Sequence, residues 1–118
     1  MKPIRAAAFT FLLSLVALQS AEAQTPPMGA GTQSCRQWIA TRGSTNEMDI
    51  VGEGMMTAWV QGFLSGMWLL ERVDGKTSFL IPDAAGIQVW LDRRCKEHPH
   101  EQLVLAGTAL VKELKTGR

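Results

Sequence analysis

Residues 47–70 read EMDIVGEGMMTAWVQGFLSGMWLL, and this stretch decides the fold. Thr45 or Asn46 just before it supplies an N-cap, because a short polar side chain accepts from N–H groups that the first helical turn leaves unpaired. Met55, Trp59, Phe63 and Met67 recur at every fourth position, and Met56, Val60, Leu64 and Trp68 form a neighbouring row. Two adjacent apolar rows at helical spacing predict one long α-helix, buried on several sides. Ala58, Gly62 and Gly66 also recur every four residues. Small residues at that spacing make a close-packing stripe where another backbone can approach, and each Gly costs about 1 kcal/mol of helix propensity relative to Ala. The apolar part, residues 55–70, is shorter than the roughly 20 residues of a bilayer span. Thr57, Gln61 and Ser65 also interrupt it.

The flanks extend the helical pattern. Upstream, Ser34 with Gln37 three residues on has capping-box spacing, and Cys35, Trp38 and Ile39 give a short helical face that Gly43 stops. Residues 71–82 are polar, with a turn signal at Asp74-Gly75 and an apolar patch at Phe79-Leu80-Ile81. Asp83 can cap a helix over residues 84–96, with Ile87, Trp90, Leu91 and Cys95 on one face and Asp92, Arg93 and Lys96 facing solvent. His98-Pro99 breaks the chain. A last helix runs from about His100 to Leu114, with Leu103, Ala106, Gly107, Leu110 and Leu114 as its apolar face. No strand alternation and no internal repeat occurs. The expectation is one all-α domain over residues 34–118, a small four- to five-helix orthogonal bundle.

The N-terminus reads as a signal peptide over residues 1–23. Lys2 and Arg5 form a basic start, residues 6–18 are apolar apart from Thr10 and Ser14, and Ala21-Glu22-Ala23 is a small-x-small cleavage site. Residues 24–33, rich in Pro and Gly without periodicity, read as a disordered arm. An exported chain with two cysteines, Cys35 and Cys95, is expected to join them in the one intramolecular disulfide it can form. That bond ties the first helix to the third and closes a loop worth about 4 kcal/mol in chain entropy. Without the leader the chain has ten basic and ten acidic residues. This balance argues against nucleic acid as a partner. It also means that strong acid, by neutralising every carboxylate, turns a neutral chain into a self-repelling cation.

Chemistry is sparse. Cys95, His98 and His100 lie within six residues of each other, a set that can bind zinc or copper, but only with Cys95 reduced. No metal or cofactor is therefore assigned. There is no nucleophile elbow and no phosphate loop, and Ser65 lies inside an apolar helix. These absences argue against an enzyme and leave binding. Trp59, Phe63, Met67 and Trp68 are the partner-binding candidates, since Met and Trp make large, adaptable contacts; the same periodicity also fits the core of a small bundle. Asp49, Glu53, Asp83 and Asp92, at helix starts or in folded pairs, are the candidates for an acid switch.

The order signal peptide, Ser34-Cys35-x-x-Trp38, Trp59-x-x-Gly62-Phe63, Ile87-x-x-Trp90-Leu91-x-x-x-Cys95 and a closing helix resembles the HdeA/HdeB family of periplasmic acid-stress proteins. The resemblance covers about residues 34–116. It implies a periplasmic all-α domain with Cys35 and Cys95 bonded and dimerisation near neutral pH. In acid it implies partial unfolding that lets the chain hold denatured proteins without ATP. Four tryptophans and a glycine-bearing apolar helix depart from that pattern. Through Gly62-Phe63-x-x-Gly66 the chain also resembles the Rap/Tai immunity proteins, which block a cell-wall amidase toxin of type VI secretion, although no cysteine follows Leu103. A third reading is an envelope interaction domain with no acid role.

Overall fold

The computed structural model describes residues 29–76 and 79–117. Residues 1–23, read as a signal peptide, and residues 24–28 of the arm lie outside them. Among the described residues the chain is all-α: a 3-10 turn at Gly29–Thr32, then α1 (Cys35–Thr41), α2 (Glu47–Val73), α3 (Ala84–Glu97) and α4 (Leu103–Thr116).

Each helix start follows from a polar side chain. Ser34 Oγ accepts from Gln37 N at 3.2 Å, Asn46 Oδ1 from Met48 N at 2.9 Å, and Asp83 Oδ1 from Gly86 N at 2.7 Å. The exception is α4, whose N-cap Gln102 makes no side-chain bond. It begins at Leu103 rather than near His100 because the preceding backbone is engaged elsewhere. Pro99 O accepts from Arg36 N at 2.9 Å and Glu101 O from Cys35 N at 2.7 Å, and Leu103 N donates to Gln33 O at 2.9 Å. The turn before α4 thus supplies carbonyls to the orphan N–H groups of α1.

The end of the arm is ordered. Within the stretch read as disordered, residues 29–32 instead form the 3-10 turn and Gln33 O accepts from Leu103 N, next to a bridge from Ser34 to Gln102. Gly31 explains it: a Cβ at this position would overlap the indole of Trp59, so only Gly lets the turn lie flat on α2.

The core gathers Trp38 from α1, Met56, Val60 and Leu64 from α2, Phe79, Ile87, Trp90 and Leu91 around α3, and Leu103, Ala106, Leu110 and Val111 from α4. Cys35 and Cys95 are fully buried in it and disulfide-bonded, with Cα atoms 4.7 Å apart, joining α1 to α3. Every other element packs on α2, but all on one side. Val51, Met55 and Leu69 are each more than half exposed. The expectation of burial on several sides is therefore corrected to a helix buried along one face only.

Candidate functional site

Two features stand out, the bare face of α2 and a set of carboxylates that tie the helices together. The exposed residues of α2 between Glu47 and Arg72 are Met48, Ile50, Val51, Gly54, Met55, Ala58, Gly62, Ser65, Gly66, Leu69 and Leu70. Ser65 is the single polar side chain among them, and its hydroxyl donates to Gln61 O at 2.8 Å within the helix. The stripe Ala58, Gly62 and Gly66 lies here. A Cβ at Gly62 or Gly66 would meet nothing within 4 Å, so among the described residues no backbone approaches the stripe there. Glycines elsewhere do admit a neighbour, among them Gly31 under Trp59 and Gly107, where a Cβ would sit 3.0 Å from Phe63 Cδ1.

The aromatic candidates sit at the margins of the core. Trp59, Phe63, Met67 and Trp68 are partly buried against it. Trp59 and Phe63 stack with centroids 5.4 Å apart, and the Arg72 guanidinium lies 5.3 Å above the Trp68 ring. Their apolar surface is thus mostly spent within the bundle.

Five carboxylates bridge elements. Asp92 on α3 accepts from Arg42 Nε at 3.0 Å and Trp38 Nε1 at 2.9 Å, both from the α1 region. Glu53 on α2 accepts from Arg42 Nη1 at 2.9 Å and from Gln88 Nε2 on α3 at 3.4 Å. Glu113 on α4 accepts from Trp90 Nε1 at 3.0 Å and lies 3.5 Å from Arg93 Nη2, both on α3. Glu71 on α2 accepts from Lys115 Nζ on α4 at 2.8 Å. Glu101, just before α4, takes two parallel bonds from Arg94 on α3, each 2.8 Å. Bidentate charge-assisted bonds of this kind are strong for their size.

Of the acid-switch candidates, Glu53 and Asp92 therefore share Arg42. Asp49 and Asp83 act locally, Asp49 accepting from Ser44 Oγ at 2.7 Å and Asp83 capping α3. Sequence reasoning missed Glu71 and Glu101, the two carboxyls held below the usual range. For Glu71 the main cause is the hydrogen bond from Lys115, and for Glu101 the hydrogen bonds from Arg94; partial burial opposes both. The same bonds raise Arg94, and the Asp92 bond raises Arg42. Glu71 had a signal: it continues the buried row of Val60 and Leu64 along α2, an unexpected place for a carboxylate. Glu101 had none, because it sits in the turn before α4, where a carboxylate is ordinary. In the Cys-His cluster, Cys95 is disulfide-bonded and the His100 ring lies against Arg36 Nη2 at 3.3 Å.

Comparison with known protein families, curated proteins and solved structures gives no match to this chain.

Proposed function

We propose that the chain is an exported, ATP-independent acid-stress protein that opens at low pH and holds denatured proteins on the apolar surface it then uncovers. The observation that carries this reading is the nature of the ties between helices. All four helices are joined to a neighbour through carboxylates, from Glu53, Glu71, Asp92, Glu101 and Glu113. As pH falls through the lowered folded values of Glu71 and Glu101, those two acceptors become neutral, while the basic side chains bonded to them stay charged, since they ionise far above that range. The ties weaken together, and the unbalanced positive charge favours expansion. Cys35–Cys95 does not titrate and keeps α1 and α3 joined. Surface released in this way includes Trp59, Phe63, Met67 and Trp68, the large side chains suited to irregular clients.

The test is light scattering of an acid-denatured client protein at about pH 2–3, with and without the chain. Suppression of aggregation at near-stoichiometric ratios, absent at neutral pH, is the expected result. A compact chain that leaves the client to aggregate would sink the reading.

A second reading, an immunity-type protein that blocks one specific toxin, is favoured by the α2 face, already formed and exposed in the folded chain. It predicts tight binding of a single protein at neutral pH and no dependence on acid.

A further inference from the structure

We infer that the cleft between α1 and the N-terminal half of α2 is a binding site for a soft monovalent metal ion, copper(I), held by the thioethers of Met48, Met55 and Met56. The inference does not depend on whether the chain holds denatured proteins in acid.

The three methionines line one cleft of about 380 Å³. Met48 stands in the first turn of α2. Met55 and Met56 follow after close to two full helical turns, so all three project from one side of the helix. Between them on that side lies Gly52, where the nearest atom to a Cβ would be Thr41 Cγ2, at 3.7 Å. The missing side chain leaves a gap, which α1 walls on its far side through Gln37 and Thr41. The Cα atoms of Met48 and Met55 are about 10 Å apart along the axis, a span that two methionine side chains close between them. Long helical side chains lean towards the N-terminus, which brings Met55 and Met56 back over Gly52. Met48 has no preceding turn to clash with and is free to lean the other way. Three rotatable bonds let each sulfur settle around a shared ion. Met56 is 3% exposed and forms the floor, whereas Met48 and Met55 are 76% and 61% exposed. An ion therefore enters from solvent without opening the bundle.

The donor set selects the metal. Thioether sulfur is a soft, uncharged ligand that suits copper(I), whereas zinc calls for thiolate or imidazole, and magnesium or calcium for several oxygens. Among the described residues no group of three His, Cys, Asp or Glu side chains is placed to hold a metal, so the harder ions have no comparable set of donors there. Charge fits as well. Asp49 is the one charged residue among the described residues that line the cleft, and it has no ion pair among them. Its Oδ2 accepts from Ser44 Oγ, and its negative charge offsets the single positive charge of the ion. No described Lys or Arg lines the cleft to repel that ion.

The experiment titrates the chain at neutral pH with silver(I), a redox-inert stand-in of the same charge and softness, and follows the methionine ε-methyl signals by NMR. The signals of Met48, Met55 and Met56 are expected to shift and to saturate at one ion per chain, with Met67 unmoved. Copper(I), added without oxygen and with ascorbate, should move the same signals. Met48→Leu and Met55→Leu nearly conserve side-chain volume and should each weaken binding at least about tenfold with unchanged circular dichroism. His98→Gln combined with His100→Gln should leave binding unchanged. The methyl shifts of the wild type test the site even where a variant folds poorly. Signals that do not saturate near one equivalent, equal shifts at Met67, or silver bound but not copper(I) would each overturn the proposal. So would Leu variants that bind as well as the wild type, or loss of binding in the histidine variant.

Discussion

Glu101 carries more of the fold than its neighbourhood suggests. Its carboxylate grips the Arg94 fork, and its carbonyl accepts from Cys35 N beside the disulfide. Arg94 lowers its pKa in the folded chain. A carboxyl depressed in this way stabilises the fold fully above its unfolded value, about 4.3. That stabilisation is lost as pH falls through the lower folded value. Glu101→Gln keeps the shape and removes the charge, so it should cost about 1–3 kcal/mol at neutral pH. Its denaturation curves should also depend less on pH below the unfolded value; an unchanged pH dependence would remove Glu101 from the acid response. Glu71 acts with the same sign through Lys115. Local pattern showed nothing of Glu101 and only the buried register of Glu71, because the partner in a salt bridge depends on which helices meet. Glu53 and Asp92 were legible as carboxylates near helix starts or faces, but their shared partner Arg42 was not.

At the level of elements, α2 divides into two faces with opposite rules for glycine. Gly66 is exposed with open space at its Cβ, whereas Gly107 on α4 faces the Phe63 ring. Gly66→Ala should therefore raise stability by about 0.5–1 kcal/mol through reduced unfolded-state entropy. Gly107→Ala should lower it by about 1–3 kcal/mol through overpacking. Chemical denaturation of both variants checks the pair, and equal effects of one sign would contradict the assignment of faces. The helices themselves were legible: Ser34, Asn46 and Asp83 cap α1, α2 and α3, and the rows of Val60, Ile87 and Leu110 face inward. Which side of α2 stays bare was not legible. Apolar residues circle that helix almost completely, so periodicity could not separate the face that meets this chain from the face that meets solvent. The arm failed for a related reason, since Gly31 signals disorder by composition but meets Trp59 by contact.

For the whole molecule, the disulfide is the tie that acid leaves intact. Cys35→Ser removes a link across 60 residues, and chain entropy puts the loss at about 4 kcal/mol. A variant with an unchanged melting temperature would argue that the bond is not structural. The closing of this link was readable from the cysteine count and the expectation of export. Its place in the centre of the core, with both cysteines fully buried, needed the fold. The link also divides the molecule into a ring and a tail. The helices α1, α2 and α3 lie on the covalent ring between Cys35 and Cys95, while α4 follows it in sequence. Only non-covalent forces hold the tail, among them Lys115 on Glu71, Glu113 on Trp90 and Gly107 on Phe63. Undocking is therefore possible for α4 while the other three helices stay tethered, and it would bare Phe63 and Trp90 without letting the chain lose its way back.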